Sequence, residues 1–142
     1  MVTRIYKDGL PTDAKAIRKA VFMEEQGFRN EFDEIDLEAA HIVIYNEKAF
    51  PIATCRVFKD HGHEENAYCI GRLAVLKDYR GKNIGAELIK EAEKYVFDQG
   101  GHRIYLHAQT RVSNFYQKLG FAQYGEEDEE EGCPHIWMKK EF

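Results

Sequence analysis

The apolar positions of this sequence follow a helical period in three stretches and a strand period in most of the others. A helix-start signal at Pro11-Thr12-Asp13 precedes Ile17 and Val21, which lie one turn apart, so a first helix is expected to end near Gly27. A second helix is predicted from Ile84 to the glycine pair at 100–101. A third is predicted from a Thr110 cap to Gly120.

Strand patterns fill much of the remaining chain. Strands are predicted at residues 4–6, 40–45, 52–58, 67–75, 102–108, 121–124 and 135–140, with turns at residues 46–48 and 60–62. The acidic segment 30–38 is expected to be irregular. The three strands between residues 40 and 75 should pair antiparallel, whereas the strands on either side of the second helix should be parallel. The expected order is β-α-β-β-β-α-β-α-β-β, an α+β fold in which residues 1–142 form a single domain.

Composition narrows the function classes. The chain has 142 residues, 44% of them hydrophobic, and a net charge of −5, which gives no basic footprint for nucleic acid. No window is apolar enough for a membrane span, and the first six residues lack the apolar core of a secretion signal, so a cytoplasmic protein is expected. The three cysteines and six histidines show no metal-ligand spacing, and no metal is expected.

The most informative segment joins an apolar strand to a helix through the turn Tyr79-Arg-Gly-Lys-Asn-Ile-Gly85. A helix start offers about four unpaired backbone N–H groups and a partial positive charge, which together bind anions. Gly81 and Gly85 let the backbone approach an anion closely, and Arg80 and Lys82 add charge. An ordinary strand-to-helix turn is the alternative. A magnesium nucleotide site is disfavoured because G-x-x-x-x-G-K-[ST] is missing.

Together with Leu73-Ala-Val75, the segment Asn114-Phe-Tyr-Gln-Lys-Leu-Gly-Phe121 and Val21-Phe-Met-Glu-Glu-Gln26, this turn resembles the GNAT superfamily of N-acetyltransferases. The resemblance spans nearly the whole chain. It implies a mixed, mostly antiparallel sheet with a central parallel strand pair and flanking helices. It also implies acetyl-CoA as cosubstrate and a small-molecule or peptide amine as acceptor, and it leaves a homodimer open. Neither nucleic acid nor a membrane is expected as a partner, because of the net charge and the lack of an apolar span.

The resemblance also implies a set of coenzyme A contacts. The pantetheine arm would lie along the strand at Leu73, Ala74 and Val75, and the pyrophosphate against Arg80, Gly81, Lys82, Asn83, Ile84, Gly85 and Ala86. Asn83 stands where the family usually has glycine, but asparagine tolerates a positive φ. Gln109 lies where many members have an asparagine that faces the pantetheine; the alternative is a solvated residue before the last helix.

Acyl transfer to an amine needs a neutral nucleophile, a polarised carbonyl and a proton for the departing thiolate. Tyr116 matches the family tyrosine beside the cofactor sulfur, although it also fits a core packing stripe with Phe115. Backbone N–H groups of the strand at residues 73–75, Val75 first, would polarise the carbonyl. His107 ranks first as the base; Glu25, His41 and His135 are also chemically able, and ordinary structural roles are open for His107 and Glu25.

Other features leave two readings each. Arg72 either forms a salt bridge or faces a substrate carboxylate. The acidic run at residues 126–131 either attracts a cationic acceptor or is a solvated, mobile loop. Cys69 raises the possibility of an acyl-cysteine route, but no partner is spaced to activate it, so direct attack in a ternary complex is favoured. A module that senses acetyl-CoA without turnover is the alternative function. The acceptor's identity does not follow from the sequence.

Overall fold

The strands of the structure, a computed structural model that describes residues 1–60, 62 and 66–142, form one twisted sheet. They are β1 (Val2–Tyr6), β2 (Ala40–Tyr45), β3 (Pro51–Lys59), β4 (Ala67–Val75), β5 (Arg103–Gln109), β6 (Ala122–Gln123), β7 (Asp128–Glu130) and β8 (Cys133–Glu141). Their order is β1-β2-β3-β4-β5-β8-β6, and β7 pairs with β8 beside this path. The β4–β5 pair is parallel and the other pairs of the described strands are antiparallel.

Four α-helices connect or flank these strands in the described chain: α1 (Thr12–Arg18), α2 (Ile35–Glu38), α3 (Ile84–Asp98) and α4 (Ser113–Lys118). The helix α1 continues as a π-helical segment, Lys19–Glu25. Short 3₁₀ turns, Lys77–Tyr79 and Thr110–Val112, precede the α3 and α4 regions. Among the described residues, no helix is both long and apolar enough to cross a lipid bilayer.

Alternation along β2 explains why the sheet is covered on both faces. Its Ile42 and Ile44 point to the core that contains Leu88 of α3, whereas Val43 packs with Ile17 of α1. Successive strand residues face opposite sides, so α1 and α3 lie on opposite faces. All six residues of β2 are therefore buried, in contrast to the one-faced pattern of an edge strand.

The predicted α+β class, the parallel pair and the end of the first helix near Gly27 are confirmed, whereas α2 and β7 were not predicted and the last helix begins later than expected. The first helix continues to Glu25 in π-helical form, and the segment expected to be irregular contains α2. Thr110 does not cap the last helix: α4 begins three residues later, and the Thr110 hydroxyl is buried without a partner among the described residues. The predicted turn at residues 60–62 lies partly outside the described residues.

A buried network of ion pairs fixes the loop that precedes α2. Arg18 is 1% exposed and donates to Glu31 Oε2 and Asp36 Oδ1, each at 2.7 Å. Arg56 of β3 donates to Asp36 Oδ1 at 3.0 Å and to Asp33 Oδ1 at 2.6 Å. Buried charges are tolerated when they are paired and hydrogen-bonded, and here each guanidinium serves two carboxylates. The network attaches the loop to both α1 and the sheet.

Removing Arg18 should be strongly destabilising. In Arg18→Ala the carboxylates of Glu31 and Asp36 lose a buried cation, and we expect a loss of about 3–5 kcal/mol in the free energy of unfolding. Lys19→Ala, an exposed change at the next residue, should alter it by less than about 0.5 kcal/mol. Urea unfolding of both variants checks this. Equal stabilities for the two would contradict the structural importance of the network.

The same network predicts a pH dependence of stability. Although burial opposes it, hydrogen bonds from Arg18 lower the pKa of Asp36 from 3.8 to about 2. A carboxyl whose folded pKa is depressed contributes stability that is present above the unfolded pKa and is lost as the pH falls through the folded pKa. Between about pH 4 and pH 2, the wild type should therefore lose more stability than Asp36→Asn in parallel urea titrations. Burial raises the pKa of Glu31, but Glu31 is present in both proteins. The difference between wild type and Asp36→Asn therefore isolates the contribution of Asp36.

Candidate active site

The parallel strands β4 and β5 separate before either of them ends. Their pairing runs from Ala67–Arg103 to Ile70–Leu106, yet β4 continues to Val75 and β5 to Gln109. A register shift between β3 and β4 coincides with a left-handed Arg72, φ 51°, as expected for a bulge that bends one strand away. The facing backbone edges beyond Ile70 and Leu106 are thus open to an extended chain that carries amide groups.

A cleft of about 750 Å³ occupies this separation. Its walls come from the first helix and following loop, from β3, β4 and β5, from the turn before α3, from α4, and from β7 and β8. The cleft is lined by Leu73, Ala74, Val75, Arg80, Gly81, Asn83, Ile84, Gly85 and Gln109 from the predicted cofactor set, together with Glu25, His107 and Tyr116. Lys82 of the turn and Ala86 of α3 do not line the cleft.

The turn before α3 contains two residues in the left-handed region. Gly81 has φ 78°, and Asn83, at the N-cap of α3, has φ 62° and ψ 18°. Left-handed residues in a short turn are typical of backbone concavities that bind anions, and the 15-residue helix adds its dipole. The expected tolerance of Asn83 for a positive φ is confirmed.

Arg80 does not point freely at this turn. Its Nη1 and Nη2 donate to the two carboxylate oxygens of Glu25 at 2.7 and 2.8 Å, and its Nε donates to the Val75 carbonyl at 2.9 Å. Through these three bonds, Arg80 joins the end of the first helix to the end of β4. Hydrogen bonds from Arg80 lower the pKa of Glu25, which makes this carboxylate a weaker proton acceptor.

Gly85 serves packing rather than backbone conformation. A Cβ atom at this position would lie 3.1 Å from Cζ of Phe115, tighter than ordinary side-chain contacts. Phe115 in turn stacks edge-to-face with Tyr116, with 5.0 Å between ring centroids. The first turn of α3 is therefore in contact with the aromatic pair of α4.

Tyr116 combines the two roles that the sequence left open. It belongs to the main core cluster and is 8% exposed, and it also lines the cleft. Burial raises the pKa of its hydroxyl well above 10. The phenol is therefore neutral at ordinary pH and can donate a proton or a hydrogen bond.

Gln109 spans the cleft wall. Its Nε2 donates to Gln26 Oε1 at 2.8 Å, and its Oε1 accepts from Arg111 Nε at 3.0 Å. The side chain is thus held by the first helix and by the turn before α4, rather than being solvated. Arg72 lines the cleft as well, and its Nε donates to the Glu31 carbonyl at 3.0 Å. This arrangement supports the salt-bridge reading of Arg72, which also lies 3.1 Å from the Glu31 carboxylate.

The acidic run is exposed, as expected, but the expectation of a loop is wrong for Asp128–Glu130, which form strand β7. Residues Asp128–Glu130 pair with Cys133–His135 through a two-residue turn, Glu131-Gly132, in which both φ angles are positive. That is the geometry of a type I′ hairpin. An acidic residue followed by glycine before a strand is the signal that could have revealed it. The hairpin brings Asp128 Oδ1 to 2.6 Å from His107 Nε2.

Two further candidates differ in their positions. His41 is fully buried and does not line the cleft; its Nε2 lies 2.9 Å from the Asp36 carbonyl. His135 lines the cleft and is 6% exposed. No group of three or more His, Cys, Asp or Glu side chains among the described residues has a geometry that could hold a metal ion.

Comparison with known proteins identifies the family to which the chain belongs. The model of the acetyltransferase (GNAT) domain matches residues 10–142. The chain belongs to the GNAT acetyltransferase family. The uncharacterised N-acetyltransferase YjcF of Bacillus subtilis is 34% identical to this GNAT domain over 133 residues, which cover 91% of each chain.

Protein ElaA of Escherichia coli is similar in sequence and in structure. It is 34% identical over 129 residues, covering 88% of this GNAT domain and 83% of ElaA. Its crystal structure superposes with a TM-score of 0.83, covering 99% and 100% of the two chains at 28% identity. An aminoglycoside 6′-N-acetyltransferase complexed with coenzyme A superposes with a TM-score of 0.76 at 17% identity, covering 99% and 97%, which supports the shared fold alone.

Modification of the three cysteines tests whether an acyl-cysteine route is open. Burial raises the pKa values of Cys55 and Cys69 to about 12, whereas Cys133 is partly exposed. At about pH 8 we expect iodoacetamide to modify Cys133 in the folded protein and the other two only after denaturation, because the thiolate is the reactive form. Peptide mass spectrometry identifies the sites. Rapid modification of Cys69 in the folded protein would reinstate an acyl-cysteine route.

Proposed function

We propose that this GNAT domain transfers an acetyl group from acetyl-CoA to a primary amine of a small molecule or peptide, by direct attack in a ternary complex. One observation carries the proposal: the open β4 edge, the turn at the start of α3 and the buried Tyr116 all meet in one cleft. An extended amide-containing arm fits the edge, a diphosphate fits the turn, and a neutral phenol fits a departing thiolate.

The same geometry supports the proposed cofactor contacts. Backbone groups of Leu73, Ala74 and Val75 would pair with the pantetheine amides. Main-chain N–H groups from Arg80 to Ala86, in the left-handed turn that contains Gly81 and Asn83, would hold the pyrophosphate. Gln109 already bonds to Gln26 and Arg111, so we assign it to shaping the pantetheine channel. No metal takes part in the proposed reaction.

The proposed chemistry needs three contributions from the chain. His107 accepts a proton from the ammonium, which frees the amine lone pair to attack the thioester carbonyl. The Val75 N–H stabilises the oxyanion while the C–N bond forms. As the C–S bond breaks, Tyr116 donates its proton to the leaving thiolate. The nitrogen of the new C–N bond gives up its second proton, which restores the Tyr116 phenol, and the proton held by His107 passes to solvent. The products are the N-acetylated amine, coenzyme A and one released proton.

Among the candidate bases, the geometry favours His107. It lines the cleft on β5, beyond the point where β4 diverges. Glu25 lines the cleft too, but both of its oxygens accept from Arg80. We therefore propose that Glu25 positions Arg80 at the cofactor turn and that His107 accepts the proton.

The deciding experiment is a thiol-release assay with acetyl-CoA and a panel of amino acids, aminosugars, polyamines and peptide N-termini. Acyl transfer predicts release of coenzyme A that depends on the acceptor, with an acetylated amine of matching quantity in the mass spectrum. Coenzyme A binding without acceptor-dependent release would support the alternative, a sensor of acetyl-CoA. A cytoplasmic location and a homodimer remain predictions.

Tyr116→Phe should separate catalysis from packing. The variant keeps the buried ring but loses the proton donor, so we expect kcat to fall about 100-fold with little change in the KM for acetyl-CoA. Tyr95→Phe removes a hydroxyl from α3 outside the cleft and should leave kcat within about twofold. Initial rates and thermal unfolding are measured together. An unchanged kcat in Tyr116→Phe would leave the residue a purely structural role.

Asn83 tests the cofactor turn. Asn83→Val places a β-branched residue in the left-handed region, a strain of about 1–2 kcal/mol, and should weaken coenzyme A binding about tenfold. Asn83→Gly should leave the affinity within about twofold, because the turn already has its left-handed shape. Isothermal titration with coenzyme A measures both. Equal affinities for valine and glycine would show that the pyrophosphate binds elsewhere.

A further inference from the structure

Two histidines and a glutamate meet at one end of the cleft, on three adjacent strands. His107 lies on β5, His135 on β8 and Glu130 on β7, and all three line the cleft. The two imidazole rings are 4.7 Å apart between centroids, and His107 also stacks on Trp137 at 4.7 Å with 23° between the planes. The rings are therefore held in place by packing.

Successive side chains of β7 point to opposite faces of the strand, which separates its three carboxylates. Asp128 and Glu130 are two residues apart and share a face, whereas Glu129 points to the other face. Asp128 contacts His107 Nε2 but does not line the cleft, and Glu130 lies on the cleft side of the ring, 3.4 Å from Nδ1. Asp128 thus holds the His107 ring on the side away from the cleft, whereas Glu130 lies on the cleft side.

The partners of the rings define where their protons lie. His107 Nε2 is 2.6 Å from Asp128 Oδ1, and His135 Nδ1 is 2.8 Å from the Cys133 carbonyl. Ionised carboxylates and carbonyls only accept hydrogen bonds, so these two nitrogens carry the hydrogen. In the neutral rings, His107 Nδ1 and His135 Nε2 are then both acceptors.

These two acceptor nitrogens face a third acceptor. Glu130 Oε2 is 3.4 Å from His107 Nδ1 and 3.7 Å from His135 Nε2, and the second distance exceeds that of a hydrogen bond. No hydrogen bond to His135 Nε2 is found within residues 1–60, 62 and 66–142, although the side chain is 7% exposed. Three acceptors thus converge on one place with no donor between them.

A primary ammonium group is the complement of this arrangement, because it supplies one positive charge and three N–H donors. We propose that His107 Nδ1, His135 Nε2 and Glu130 bind the protonated amino group of the acceptor, an inference that rests on the acyl-transfer function proposed above. Glu130 attracts the cation, and the two histidines orient it. The proton passes from the bound ammonium nitrogen to His107 Nδ1, while Asp128 acts as a positioning residue on Nε2.

The test uses binding alone, so that it does not depend on turnover. The protein free of coenzyme A, labelled with ¹⁵N-histidine, is titrated with n-butylammonium chloride at about pH 8, where an ordinary histidine is neutral. Long-range ¹H–¹⁵N spectra should first show hydrogen on Nε2 of His107 and on Nδ1 of His135. Butylammonium should then shift the two non-protonated nitrogens, and butyltrimethylammonium, which has the same charge but no N–H donor, should not.

Matched variants assign the effect to the site. Glu130→Gln should raise the dissociation constant of butylammonium about tenfold or more, as expected for a lost hydrogen bond to a charged group. Glu129→Gln removes the same charge from the opposite face of β7 and should change the constant less than about twofold. His135→Gln should weaken binding without altering the His107 tautomer.

Several outcomes overturn the proposal. They are equal responses to the primary and quaternary amines, rings that are doubly protonated in the free protein, equal effects of the two glutamine variants, or shifts that disappear with a chelator and so reveal a metal. Ammonium binding without acyl transfer in the thiol-release panel would reject the proposed function and keep the site. Turnover together with unchanged butylammonium binding in Glu130→Gln would keep the proposed function and reject the ammonium site.

Discussion

The divergence of β4 from β5 is the constraint on which the rest of the structure depends. A parallel sheet that continued to the ends of both strands would satisfy its own backbone and leave no space between them. Here pairing stops at Ile70 and Leu106, and the bulge at Arg72 bends β4 away. The fold then retains an unpaired edge and a cleft beside it. The surrounding helices and loops line the cleft between the two strands and contribute polar side chains to it.

The buried ion network gives one side of that space its rigidity. The loop between the first helix and α2 has little regular secondary structure, yet Arg18 and Arg56 bind its carboxylates from the helix and from the sheet. Across the cleft, the Glu131 carboxylate accepts the Arg29 N–H at 3.1 Å and thereby joins the β7–β8 hairpin to this loop. This end of the cleft is thus bordered by segments attached to one another, although neither is part of the main core.

Periodicity predicted most of the fold, because burial on one or both faces leaves a regular pattern in α3 and in β2 to β5. It failed where local chemistry or distant partners decide. Asp128–Glu130 lacks hydrophobic contrast, so only its turn residues could have indicated a strand. The ion pair of Glu25 with Arg80 joins residues 55 positions apart, and the approach of Asp128 to His107 depends on strand pairing. The sequence could name these side chains as candidates, but it could not show which of them meet.

The contact between Gly85 and Phe115 has a consequence for distance within the site. Because a side chain at position 85 would displace the ring, the missing Cβ sets how near α4 lies to the start of α3. Tyr116 is the next residue after Phe115, so the spacing between the phenol and the helix terminus is fixed by one ring against one backbone. Gly85 therefore sets the distance between the start of α3 and the Tyr116 hydroxyl. A ligand that contacts both must match that distance in length.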